Sequence, residues 1–84
     1  MCQVLQIAII IILMSKKELK AFGRRVKELR IERDLTQSEL AEKVGLSNNF
    51  IGMVERGERN TSVDKIFKLA KAFDIKLAQF FETL

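Results

Sequence analysis

From residue 15 onward the apolar positions fall three or four apart, and each run of that pattern is bounded by residues suited to starting or stopping a helix. Leu19, Phe22, Val26 and Leu29 form the first run, with Lys20, Arg24, Lys27, Glu28 and Glu32 on the other faces, predicting a helix that begins after Ser15 and ends near Asp34. Thr36 and Glu39 have the spacing of a capping box and Leu35 can staple onto Leu40, so a second short helix should run from Gln37 to just before Gly45. Ser47 then caps a third helix that carries Phe50, Ile51 and Val54 and runs out at Gly57. After a polar loop from Glu58 to Thr61, Ser62 caps a fourth helix with the stripe Val63, Ile66, Leu69, Ala70 and Phe73. A fifth short helix is predicted around Leu77, Phe80, Phe81 and Leu84, which makes the expected fold an all-α, compact five-helix domain.

The first fourteen residues, MCQVLQIAIIIILM, break that pattern: they hold no charged side chain and are set apart as an apolar N-terminal extension of a domain spanning 15–84. A membrane-spanning helix needs ~20 apolar residues, and Val4 to Met14 falls well short of that. A secretory signal carries its basic residues ahead of the apolar stretch, whereas Lys16 and Lys17 come after it. Two readings remain. Met14-Ser15-Lys16-Lys17 resembles an ordinary cytosolic start, so residues 1–13 can be an extension upstream of the true initiation site; alternatively they form an apolar arm that packs on a partner subunit. A cytoplasmic location without membrane attachment is expected.

Composition narrows the chemistry. Eighty-four residues allow one thin core, and the absence of Pro with only four Gly agrees with helices joined by short turns. One Cys and no His remove disulfide frameworks, Cys/His zinc sites and His-based acid–base catalysis, so neither an enzyme nor a cofactor or small-molecule substrate is expected. The net charge of +4 suits an anionic partner.

The unit Gln37 to Arg56 then stands out. Leu40, Val44, Leu46, Ile51 and Val54 occupy the sites where two crossing helices bury side chains against each other, Ala41 sits where the pair comes closest, and Gly45 occupies a turn that calls for positive φ. The run LTQSELAEKVGLSNNFIGMVERGERN resembles the helix-turn-helix of the phage repressor and Cro-type, or Xre-like, family, and the likeness extends over residues 22 to 82. Among small members, the ERGERN loop and the KIFKLAKAFDIKLAQFF ending are most similar to the controller proteins of restriction-modification systems.

The resemblance implies a lambda-repressor-like domain whose third helix enters the major groove of double-stranded DNA while the second crosses the phosphate backbone. Ser47, Asn48, Asn49, Gly52 and Met53 are then the positions facing DNA, with Asn48 and Asn49 first for base readout because a carboxamide can both donate to and accept from adenine. Helix capping alone would also explain Ser47 and Asn48, though not both asparagines. Met53 either touches a thymine methyl or fills the core, and Phe50 either shields the helix pair, the more frequent fate of a Phe, or lies along a sugar and base edge at the groove rim. Phosphate contacts are expected from Gln37, Ser47, Arg56, Arg59, Asn60 and Thr61, the bland reading of the arginines being solvated surface charge. Arg30 and Glu55 match the family positions of a buried ion pair, the alternative being two solvated surface charges.

The implied function is a sequence-specific transcriptional regulator, a homodimer on a two-fold symmetric operator, autoregulating a restriction-modification operon. Its dimer interface is expected from the surplus of apolar residues at the C-terminal end, Ile75, Leu77, Phe80, Phe81 and Leu84. The alternative is an antitoxin-type or phage-type repressor whose main partner is a protein bound by that same end. Glu39 and Glu42 are candidates for a contact with RNA polymerase, with plain solubilising charge as the competing reading.

Overall fold

Helices dominate because the local signals agree with the periodicity at both ends of each segment. The computed structural model describes residues 14–59, 61–76 and 79–80. Four helices are delineated among them: α1 (Lys16–Glu32), α2 (Gln37–Val44), α3 (Asn48–Glu55) and α4 (Val63–Phe73), and no described residue is in a strand. Of the expected fifth helix, Gln79 and Phe80 are helical, while Leu77, Phe81 and Leu84 lie outside the described residues. So do residues 1–13 of the apolar extension; Met14 packs on the edge of the core. No helix among the described residues is long and apolar enough to cross a membrane.

A hydroxyl caps every described helix: Ser15, Thr36, Ser47 and Ser62 each accept from the backbone N–H three residues on, filling one of the donors a helix start leaves unpaired. At Thr36 the reciprocal bond from its own N–H to Glu39 is made as well, at 2.9 Å, completing the capping box. The stops are equally uniform. Asp34, Gly45, Gly57 and Asp74 are left-handed, with φ between 54° and 71°, and the next residue's N–H bonds back to a carbonyl five residues earlier, as Leu46 does to Ala41 at 2.9 Å.

The core is a single cluster. Phe22, Val26 and Leu29 of α1 meet Leu40, Ala41 and Val44 of α2, Phe50, Ile51 and Val54 of α3, and Ile66, Leu69, Ala70 and Phe73 of α4. α1 packs on α3, and α2 packs on both α3 and α4. Where α1 crosses α3 the backbones nearly touch: a Cβ on Gly23 would lie 2.2 Å from the Val54 carbonyl oxygen and 2.8 Å from that of Glu55. Glycine is therefore the only residue type that fits at this crossing.

Phe80 closes the core. Its ring stands 5.5 Å from Phe22 and 6.0 Å from Phe73, both tilted, and it is wholly buried. This corrects its assignment to a subunit interface, because a ring with no surface in its own protomer cannot meet a partner. Arg33 ties the ends of α1 and α4 together, its Nε donating to the Phe73 carbonyl at 2.9 Å and its Nη1 to the Leu29 carbonyl at 3.2 Å, with the guanidinium 5.4 Å from the Phe73 ring centre. Two carbonyls that helix ends leave without partners are thereby satisfied.

Candidate nucleic-acid interface

The turn between α2 and α3 sets the direction of α3. Gly45 supplies φ +68° with no atom within 4 Å of where a Cβ would stand, so its role is conformational rather than steric. Ser47 then starts α3, its Oγ accepting from the Phe50 N–H at 3.0 Å. Ser47, Asn48 and Asn49 are exposed on the first turn, while Phe50 and Ile51 turn into the core.

Electrostatics single out the same end. α1, α2 and α4 each place an acid in their first turn (Glu18, Glu39 and Asp64), which offsets the positive end of the helix dipole; α3 has none. Its exposed start is thus a positive terminus carrying two carboxamides, a combination suited to an anionic, hydrogen-bonding surface.

Behind it lies a buried network that fixes the far end of α3. The Glu55 carboxylate, with its side chain 3% exposed, receives Arg30 Nε at 2.6 Å and Nη2 at 3.2 Å, and Gln37 Nε2 at 3.0 Å. Arg30 Nη1 also donates to the Leu35 carbonyl at 2.8 Å, so α1, the α1–α2 connection, α2 and α3 share one polar knot. A two-pronged guanidinium grip of this kind specifies orientation as well as supplying energy.

Gln37, expected at a phosphate, is half-buried with its carboxamide turned in to Glu55; a phosphate contact there is left to its second amide hydrogen or its main-chain N–H. Gly52, expected to face bases, is buried: a Cβ on it would meet the Arg56 guanidinium at 3.1 Å and the Gln37 carboxamide oxygen at 3.7 Å, so these two side chains cover it. Thr61, expected at a phosphate, is also buried and so has no surface to offer a strand. Met53 is partly buried, between its two proposed fates.

Arg56 and Arg59 are exposed, and Asn60 lies outside the described residues. Arg56 Nε pairs with Glu58 at 2.9 Å. The hydrogen bond and charge of Glu58 raise the Arg56 pKa further above its ordinary value, and the bond from Arg56 lowers that of Glu58. Nη1 of Arg56 lies over Gly52. Glu39 commits its carboxylate to the Thr36 cap, whose backbone and side-chain hydrogen bonds hold its pKa below the usual range, while Glu42 is simply exposed. Of the residues assigned to a dimer face, Ile75 is half-buried against the core. Ile31 and Phe67 are the exposed large apolar side chains among the described residues.

Two groups missed in the sequence pack against α3, one at each end. Gly23 fixes how near α3 can lie to α1, and Lys65 of α4 brings its amine 4.4 Å from the centre of the Phe50 ring. The Gly23 contact joins residues about thirty apart in the chain. No periodicity announces such a contact, although a glycine inside a strong helical pattern is a signal that something passes close by.

Comparison with known proteins agrees with this geometry. A family described as "Helix-turn-helix" matches residues 26–80. The crystal structure of the restriction-modification controller protein C.AhdI from Aeromonas hydrophila superposes with a TM-score of 0.76 at 45% identity, covering 77% of this chain and 98% of that one. Control protein C.BamHI of Bacillus amyloliquefaciens is 36% identical over 56 residues, 66% of this chain and 69% of the relative. A structure of the master regulator for biofilm formation SinR in complex with DNA matches with a TM-score of 0.69 at 29% identity, covering 73% of this chain and 98% of that one.

Proposed function

The chain belongs to the helix-turn-helix family, and from that membership we propose that it is a DNA-binding transcriptional regulator of the controller type, acting as a homodimer on a two-fold symmetric operator and regulating its own restriction-modification operon. The observation that carries the reading is the exposed pair Asn48 and Asn49 on the first turn of a helix whose positive end no acid offsets. Asn48 and Asn49 read base edges, Met53 borders them, and Ser47, Gln37, Arg56 and Arg59 grip phosphates and set register. The likeness to C.AhdI and C.BamHI supports the controller assignment, and the SinR complex with DNA supports the ligand.

Two copies place their α3 helices on one face of the duplex about 34 Å apart. With Phe80 taken up by the protomer core, the proposed subunit contact falls to Ile75, Leu77, Phe81 and Leu84.

Selection of bound sites from random duplex DNA tests the whole reading. A symmetric consensus with half-sites one helical turn apart is expected, and replacing Asn48 and Asn49 together by Ala should remove operator preference while leaving salt-dependent, nonspecific binding. Equal affinity of the unaltered protein for the selected site and for random duplex would reject it.

A further inference from the structure

We propose that Phe50 is a positioning residue whose ring holds the cationic ends of Lys65 and Arg59 at the edge of the interface, making Lys65 a further phosphate-contacting residue. The inference rests on the DNA-binding reading above and extends it to a side chain on α4.

Phe50 is the third residue of α3, directly after Asn48 and Asn49, and at 7% exposure its ring belongs to the core and cannot itself lie in a groove. The ring nonetheless carries two cations: Lys65 Nζ 4.4 Å from its centre and Arg59 Cζ 5.5 Å. An aromatic face attracts cations within about 6 Å of its centroid. Among the described residues Arg56 has Glu58 and Lys68 has Asp64, whereas neither Lys65 nor Arg59 has a carboxylate within 4.0 Å.

The placement of Lys65 is locally unfavourable, which makes the contact informative. It is the third residue of α4, in the first turn, where the helix dipole favours acids and opposes a cation. Two like charges are thus gathered on the ring of the residue that follows the exposed asparagines, with no carboxylate of a described residue within 4.0 Å of either. A phosphate group is the partner that offsets both charges at once, and the ring restricts two long side chains before that partner arrives, reducing the ordering needed on binding.

Duplex binding measured by fluorescence anisotropy over a range of salt concentrations tests the proposal on the full chain. Lys65→Gln should lower the slope of log K against log salt by about one, as expected when a single lysine no longer neutralises a phosphate. Phe50→Leu, which keeps an apolar side chain in the core, should weaken binding about two- to fivefold, and Phe50→Tyr should restore it. In the Phe50→Leu background the effect of Lys65→Gln should shrink, a coupling that a purely structural Phe50 would not produce. In the free protein the ring should shift the Lys65 side-chain methylene protons upfield in NMR spectra, and Phe50→Leu should abolish that shift. An unchanged salt slope in Lys65→Gln, or equal effects of that change in both backgrounds, would overturn the inference while leaving DNA binding intact. If the unaltered chain shows no salt-dependent duplex binding, the DNA reading fails and this one with it.

Discussion

Replacing Gly23 by Ala sets two effects of opposite sign against each other. In an exposed helix interior the change should stabilise by about 0.5–1 kcal/mol, because Ala loses less backbone freedom on folding. At this crossing the added methyl would stand 2.2 Å from the Val54 carbonyl oxygen, 2.8 Å from the Glu55 carbonyl oxygen and 3.0 Å from the Glu55 carbonyl carbon. Ordinary carbon–oxygen contacts lie near 3.3–3.6 Å, so α1 and α3 must part by roughly 1 Å. All three atoms are backbone, and no rotamer change can remove them. A gap of that size forfeits about a quarter to a half of each dispersion contact across it, and it opens between Phe22, Val26 and Leu29 on one side and Ile51 and Val54 on the other. Overpacking of this kind costs about 1–3 kcal/mol or more, which exceeds the propensity gain. The expected net loss is on the order of 1–2 kcal/mol, or roughly 4–8 °C in Tm per kcal/mol for a domain of this size. Urea unfolding followed by circular dichroism should show a lower midpoint at unchanged slope. A midpoint equal to or above that of the unaltered protein would mean that propensity wins and that the crossing is loose enough to admit a methyl group.

Two further predictions concern the polar groups. Glu55→Ala leaves the Arg30 guanidinium and the Gln37 carboxamide without their shared carboxylate in a site where Arg30 is only 12% exposed, and should cost about 3–5 kcal/mol; a loss under about 1 kcal/mol in thermal unfolding would show the pair to be solvated. The second concerns pH. Glu39 and Glu58 have folded pKa values below their ordinary ones, held down by the Thr36 cap and by Arg56. Their stabilisation is thus complete above the usual carboxylate range and lost as pH falls through the folded values. Tm should be flat near neutrality and drop in acid, and Glu39→Gln, which can still complete the capping box, should flatten the acid limb. An unaltered acid limb in that variant would contradict the assignment.

How much of this was legible in the sequence depends on whether the cause is local. Thr36 with Glu39, Ser47, Gly45 and Ser62 act within a few residues of themselves, and the structure uses them as caps and stops where the spacing placed them. The stripe Phe22, Val26 and Leu29 identified the inward face of α1, because a period of 3.6 reports which side is buried. It does not report what lies opposite. Gly23 against the Val54 carbonyl, Phe80 between Phe22 and Phe73, and Lys65 on the Phe50 ring are all meetings of distant segments. Gln37 shows the same limit on a single side chain: its place at the start of α2 was clear, but whether its amide faces solvent or Glu55 depends on an acid eighteen residues away. Phe80 looked like part of a C-terminal surplus because the core's need for one more ring could not be counted from the pattern.

The hydroxyl starts and left-handed stops of the four helices bear on how the chain reaches this structure. Each boundary is decided inside a window of about six residues, so helix limits rest on local signals, whereas the crossing of α1 over α3 at Gly23 needs segments about thirty residues apart to meet. Folds built mainly from such short-range contacts complete in microseconds to milliseconds. A newly made chain of this kind is expected to cover the apolar faces of its helices quickly, which stopped-flow refolding would show as a single millisecond phase.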